Sequence, residues 1–233
     1  MAYEYIINHV NGATKAGYYD NLGNWRTRRP GTNMNWQTIT IHNTGNPRSN
    51  ALNERDWLEN PNNKRQASFH LAVDERRIVE VIPLNEIAYH AGDRTGNATS
   101  LGIEICESGN YVQSLENTAD LVADLLISKN KTVKDLRQHY DWSGKNCPWK
   151  IRAGHNGWTW EVFKNAVTER MVITMVSKYF KDVKHQWQAT HIDSLREKGI
   201  ISGRSADIYD PDSPVTRAEL AVVVNKTIEY LKG

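Results

Sequence analysis

Cysteine is nearly missing from this chain, with Cys106 and Cys147 alone among 233 residues. Two thiols in a reducing compartment argue against a disulfide framework, and a bridge between them becomes an option only if the protein acts outside the cell. Charge of either sign is not in excess. The 29 Lys and Arg nearly balance the 27 Asp and Glu, for a formal charge of +2. That leaves no strong field for collecting nucleic acid or a membrane surface, and neither is expected as a partner. Long apolar runs are also absent, since nothing approaches the roughly 18 residues of a spanning helix. The opening MAYEYIINHVNGA has neither a basic n-region nor an apolar h-region. A soluble product, made in the cytoplasm without a signal peptide, is expected.

The length suits two units. The first thirty-odd residues are rich in Gly, Asn, Tyr and Arg without clear periodicity, and TRRPGTNMN closes them with turn chemistry, which reads as an irregular wrap. WQTITIHNTG then alternates, with Ile39 and Ile41 on one face and Thr38, Thr40 and His42 on the other. In ASFHLAVD the same pattern puts Phe69, Leu71 and Val73 on one face and His70 on the reverse, with RRIVEVIP as the partner strand. SLGIEICES places Leu101, Ile103 and Ile105 opposite Glu104 and Cys106. SLENTADLVADLLISKN has helical spacing with Ser114 as N-cap, and a second helix near Thr159 carries Trp160, Phe163 and Val167. Strands mixed with helices give an α/β or α+β layered domain.

Three strands thus put an ionisable residue on the less apolar face, where Thr, Ser, Lys or Gln would be ordinary. With the loop RQHYDWSGKNCPW, the candidate groups become His42, His70, His90, Glu104, His139, Lys145 and Cys147. Each has a plain reading: a lone strand histidine is a hydrogen-bonded structural residue, Lys145 a solvated charge, and Cys147 a small buried hydrophobe. Glu104, flanked by Ile on both sides, is costly unless its face is wet or paired. Imidazole nitrogen and thiolate sulfur suit zinc, so His42, His139 and Cys147 would form an open three-ligand site if the fold brings them together. The spacing of His139 and Cys147 equally allows a metal-free Cys147 nucleophile with His139 as its base.

Taken in order, IHNTG, ASFHLAVD, AYHAGD, SLGIEIC and RQHYDWSGKNCP resemble the zinc-dependent N-acetylmuramoyl-L-alanine amidases of the amidase_2 type, relatives of peptidoglycan recognition proteins that include many phage endolysins. The resemblance covers roughly residues 30 to 168 and implies an α/β fold, a mixed central sheet flanked by helices, with a zinc cleft on its open side. It assigns zinc, one ion per catalytic domain, to His42, His139 and Cys147. Glu104 becomes the general base or acid, and Lys145 the residue that steadies the developing oxyanion. Asn43, His70 and His90 are expected along the substrate groove. Some family members carry a tyrosine where this chain has Phe69, which leaves proton transfer to Glu104. The implied activity is hydrolysis of the amide between N-acetylmuramic acid and L-alanine by a zinc-activated water. Against it stand the Cys147 nucleophile and a non-catalytic peptidoglycan binder.

Beyond MVITMVSKY a new pattern starts at FKDVKHQWQATHIDSLREKGIISG, with Gly199 closing a helix. VTRAELAVVVNKTIEYL opens with Thr216 and Glu219 in capping-box register. Through FKDV, the Trp187 region, GIISG and TRAE, residues 179 to 232 resemble an S-layer homology module. The implied partner is a secondary cell-wall polysaccharide, with Trp187, Gly203 and Arg217 as its contacts; a small helical packing module is the alternative. A single copy weakens avidity unless the chain self-associates. The expected organisation is a catalytic domain over 1–168, a connecting segment over 169–178 and the small α-helical module over 179–233. The whole reads as a phage or prophage endolysin that reaches a Gram-positive cell wall after release from the cytoplasm.

Overall fold

The computed structural model describes residues 3–173, 177–183 and 186–232. Residues 174–176 of the expected connecting segment lie outside the described residues. The chain divides into two compact units, Met1–Leu126 with Asn130–Thr168, and Ile127–Lys129 with Glu169–Gly233. Among the described residues no helix is long and apolar enough to cross a membrane.

The first unit contains β1 (Glu4–Ile7), β2 (Gly17–Tyr19), β3 (Trp25–Thr27), β4 (Thr38–Asn43), α1 (Ala51–Glu59), β5 (Leu71–Val73) and β6 (Arg77–Glu80). There follow α2 (Arg94–Thr99), β7 (Ser100–Ile105), α3 (Tyr111–Ser128), β8 (Leu136–Gln138), α4 (His139–Ser143), α5 (Trp149–Arg152) and α6 (Trp160–Ile173), the last turns of α3 and α6 crossing the unit boundary. Six strands form one mixed sheet in the order β1-β6-β5-β7-β4-β8. Only the β5–β6 pair is antiparallel; β7 lies parallel to β4, and β4 parallel to β8. The alternation in WQTITIHNTG and SLGIEIC is realised: Ile39, Ile41, Leu101, Ile103 and Ile105 are fully buried. Each such side chain contributes roughly 1.5–3 kcal/mol. Leu115, Ala119, Val122 and Leu126 of α3, with Phe163 and Val167 of α6, are also completely buried.

Three local expectations change, and one helix is added. The N-terminal segment is not wholly irregular, because YEYII pairs in parallel with β6 as an edge strand and β2–β3 forms a hairpin. The long helix begins before Ser114, where Asn110 Oδ1 accepts from the Gln113 N–H, and Ser114 is buried inside the helix. Phe69 does not share the Leu71 face. Strand geometry starts only at Leu71, and Phe69 packs in a cluster with Ala51, Leu58, Ala72 and Cys106. Finally, α1 covers this side of the sheet, started by Asn50, whose side chain accepts from Asn53 N–H while Asn53 reaches back to the cap.

A buried guanidinium locks the N-terminal hairpin to the chain that follows α1. Arg28 is fully buried and donates to the carbonyls of Gly17, Leu58, Asn63 and Arg65. Carbonyl acceptors stand in for the carboxylate such a buried charge would otherwise need.

In the second unit, Ala189 and Ile192 of α7 (Gln186–Glu197) join Phe180, Val183, Ile200 and Ile201 in a small core, against which the partly buried Val223 of α8 (Arg217–Lys232) packs. Gly199 adopts φ +69° just past α7, as a helix-closing glycine does. The Thr216–Glu219 capping box forms, with Glu219 N–H donating to Thr216 Oγ1 at 3.1 Å and Thr216 N–H to Glu219 Oε2 at 2.8 Å. α8 buries none of its residues, and Leu220, Val224 and Ile228 stay exposed.

Candidate metal centre

Parallel pairing of β4 with both β7 and β8 brings the distant motifs to one end of the sheet. His42 is the fifth residue of β4 and lies in register with Glu104 of β7. On the other side of β4, β8 runs directly into α4, whose first residue is His139. The loop after α4 folds back so that the Tyr140 N–H donates to the Cys147 carbonyl at 3.0 Å, which holds Cys147 beside the two histidines.

The donor atoms of His42, His139 and Cys147 all lie within 4.8 Å of one another, and all three residues are buried. His42 Nδ1 and His139 Nδ1 are 3.0 Å apart, and Cys147 Sγ is 3.8 Å from His42 Nδ1. In a tetrahedral zinc site two nitrogen donors stand about 3.3 Å apart, and nitrogen and sulfur about 3.6 Å. The residues present therefore fit zinc in both donor chemistry and spacing. Three protein donors are the complement of an open, catalytic type of site.

The same closeness sets the protonation states. Burial, with His90 and His139 nearby, drives the His42 pKa well below the ordinary histidine range. Burial and then Lys145 bring His139 down to about 4. Both rings are thus neutral at pH 7, as metal ligands must be. Cys147 goes the other way: burial, then Glu104, raises its thiol to about 12. Such a thiol carries little thiolate without a cation, which works against its use as a free nucleophile.

Glu104 and Lys145 line a groove of about 640 Å³ together with His42 and His139. Burial and the neighbouring Glu54 raise Glu104 to about 8, and its Oε2 is buried without a hydrogen-bond partner. A carboxyl group in that state holds a proton that it can exchange near neutral pH. Lys145 is exposed, and its positive charge acts on His42, His139, Glu104 and Cys147.

The expected groove contacts behave differently. His70 is completely buried behind the groove; its Nδ1 accepts from the Gly102 N–H at 2.9 Å and its Nε2 meets the Glu86 carbonyl at 2.8 Å. With both nitrogens on backbone, it braces the sheet and offers nothing to a substrate. His90 does line the groove, yet Nδ1 is 3.1 Å from His42 Nε2 and Nε2 is 2.9 Å from the Ser100 carbonyl. Asn43 also borders the groove, but its amide donates to Tyr111 Oη at 2.9 Å and its carbonyl accepts from the Lys150 N–H at 3.2 Å. It fastens the segment after Cys147 to β4 and α3.

Sequence reasoning missed the opposite wall. Asn53, Glu54, Trp57 and Asn60 of α1 and its C-terminal cap, with Arg65 and Phe69 beyond, border the groove. It also missed Glu107, a buried carboxylate that accepts from the Gly45 N–H at 3.0 Å and Trp149 Nε1 at 2.8 Å. The Asn50-to-Asn53 capping pair was the available signal for α1. In the second unit Trp187 is 55% exposed and Arg217 is exposed at the start of α8. Gly203 differs: a Cβ there would lie 2.4 Å from the Phe180 ring and 2.3 Å from the Ile208 carbonyl, so this glycine serves close packing.

Comparison with known proteins agrees with this arrangement. The family model described as N-acetylmuramoyl-L-alanine amidase matches residues 32–150, and the S-layer homology domain model matches residues 179–221. The N-acetylmuramoyl-L-alanine amidase CwlA of Bacillus subtilis (strain 168) is 42% identical over 125 residues, covering 51% of this chain and 45% of that protein. XlyA of the same organism is 37% identical over 145 residues, covering 60% of this chain and 46% of that protein. The match thus spans less than half the length of these curated relatives. The solved structure of the XlyA catalytic domain is covered over 99% of its length, with 70% of this chain, 32% identity and a TM-score of 0.60. A family match over half the chain, carried by the same strands that assemble His42, His139 and Cys147, means that this chain belongs to the amidase_2 family of N-acetylmuramoyl-L-alanine amidases.

Proposed function

We propose that the chain hydrolyses peptidoglycan at the amide joining N-acetylmuramic acid to L-alanine, as a zinc enzyme. The observation that carries this reading is the convergence of two neutral imidazole nitrogens and one thiol within 4.8 Å, at the end of a groove that also holds Glu104 and Lys145. Zinc bound by His42 Nδ1, His139 Nδ1 and Cys147 Sγ would supply Lewis acidity and an activated water. In its ionised form, which the charge of a bound cation would favour, Glu104 takes up a proton from the attacking water and delivers it to the departing alanine nitrogen. Lys145 faces the negative charge that develops on the carbonyl oxygen, from the groove lip where it keeps its own charge solvated. The α1 wall gives the extended stem peptide a polar surface to lie against.

The test uses purified cell walls and the full chain. New N-terminal alanine should appear without new reducing ends, cease after chelation and return with zinc. Reducing sugar release, or activity that survives complete zinc removal and stops on thiol alkylation, would overturn the reading in favour of another bond or of the Cys147 nucleophile.

For the second unit the reading is adhesion to a secondary cell-wall polysaccharide, with exposed Trp187 stacking on sugar and Arg217 meeting an acidic substituent. Self-association through the open face of α8 would supply several such modules at once; sedimentation of the full chain decides that point. Release to the wall as an endolysin is part of the same reading and is compatible with peptidoglycan as the substrate.

A further inference from the structure

His90 was expected to touch substrate, but its ring has no nitrogen left to do so. The pattern of its partners fixes where its protons are. The Ser100 carbonyl, 2.9 Å from Nε2, can only accept, so Nε2 carries the hydrogen. The ring is buried among other imidazoles, with 7% of its surface exposed, where a second proton would be costly; with its one hydrogen on Nε2, Nδ1 is bare and accepts. The group it accepts from is His42 Nε2, 3.1 Å away. His42 therefore carries its single proton on Nε2, and its Nδ1, the atom facing His139 and Cys147, presents a bare lone pair.

His139 directs its Nδ1 at the bare His42 Nδ1, 3.0 Å away, with its Nε2 on the side of Gly92. The hydrogen bond between the two rings is then donated by His139, and a bound cation would stand between the two nitrogens instead. Gly102 makes the arrangement possible, because a Cβ there would come within 2.6 Å of His90 Cγ. Its N–H also anchors His70, which packs edge-on to His90 at 5.8 Å between ring centroids.

We infer that His90 is a positioning residue for the metal centre: by accepting from His42 Nε2–H it selects the His42 tautomer whose Nδ1 can bind the ion. This rests on the reading of His42, His139 and Cys147 as zinc ligands, and it assigns His90 a role other than substrate contact. A histidine held by its far nitrogen binds metal more tightly because no tautomer change or ring rotation has to be driven by the ion.

The test combines two readouts on the full chain. In the metal-free protein, long-range proton–nitrogen NMR of the imidazoles should show His42 protonated on Nε2 and bare on Nδ1. Zinc affinity is then measured by competition with a chromophoric chelator, using Zn²⁺ alone as probe. His90→Leu should weaken binding about 10- to 100-fold. His90→Gln, whose amide oxygen can accept from His42 while its NH₂ donates to the Ser100 carbonyl, should restore affinity to within about threefold of the wild type. A proton on His42 Nδ1 in the metal-free wild type overturns the inference. So does a folded His90→Leu protein with undiminished affinity, or an equal loss in both variants, which would mark His90 as packing only. If His90→Leu does not fold, the wild-type spectrum and the Gln variant decide. Failure of the wild type to take up zinc at all would instead defeat the ligand reading, and the spectrum alone would then judge the tautomer.

Discussion

His42 and Glu104 are paired positions on neighbouring parallel strands, so one sheet register places the proposed metal donor and the proposed acid–base carboxyl side by side. The two functions can be separated by substitution. Glu104→Gln keeps the shape of the side chain and should lower wall hydrolysis by about 10²- to 10⁴-fold while zinc content stays at one per chain. Metal analysis alongside the alanine-release assay checks this, and loss of zinc in the variant would place Glu104 among the ligands.

The raised pKa of Glu104 also predicts how the metal-free protein responds to pH. Its folded value of about 8 exceeds the ordinary 4.5, so between those values the native state holds more protons than the unfolded chain. Stability contributed by this group is complete below about pH 4.5 and declines as pH rises through 8. Metal-free Glu104→Gln should therefore be more stable than the wild type near pH 8, by on the order of 1 to 3 kcal/mol, and equal to it near pH 4. Chemical denaturation of the chelated proteins at both pH values measures the difference.

Zinc uptake should release one proton from Cys147. The thiol stands at about 12 and His139 at about 4, so near neutrality only the cysteine must ionise to bind metal. Affinity then rises about tenfold per pH unit between pH 6 and 8. Measuring in the Glu104→Gln background removes any proton from that carboxyl. A flat profile would exclude thiolate ligation.

The two cysteines should respond in opposite ways to substitution. Cys147→Ser should lose about 100-fold or more in zinc affinity, since a hydroxyl is a poor substitute for thiolate. Cys106 is fully buried in the apolar cluster beneath α1, where burial also pushes its thiol up. Cys106→Ala should leave zinc binding intact and destabilise the fold by about 1 kcal/mol. Competition titration and thermal melts distinguish them.

On the second unit, Trp187→Ala in the non-lytic Glu104→Gln chain should reduce retention on walls that contain the secondary polymer about tenfold. Walls stripped of that polymer should retain both proteins alike, through the peptidoglycan groove they share. Equal retention on unstripped walls would leave the module a packing role. Gly203 is unsuited to this test, because its substitution would disturb the Phe180 packing before it reported on a ligand.

Much of the centre could be read from the chain because strand alternation is strong in β4 and β7. Ile39, Ile41, Leu101, Ile103 and Ile105 are buried as their spacing requires, which leaves His42 and Glu104 on the other face. The same rule misplaced Phe69, since regular geometry starts only at Leu71 and one irregular residue reverses the apparent face. α1 was missed for a different reason: it is short and largely polar, with Asn53 and Glu54 on the groove, so beyond its Asn50–Asn53 cap it carries little periodic signal. The state of His90 could not be read at all. It depends on the Ser100 carbonyl and the missing Cβ of Gly102, and no periodicity encodes either.

Arg28 lies ahead of the family match, which begins at residue 32. Its side chain nevertheless reaches carbonyls at Leu58, Asn63 and Arg65, and Arg65 borders the groove. Trimming the protein to its recognisable family segment would orphan those carbonyls and loosen a substrate-facing wall from behind. For anyone grafting this amidase_2 domain onto a wall-targeting module, the fusion point belongs ahead of β1, so that the edge strand and the β2–β3 hairpin both stay.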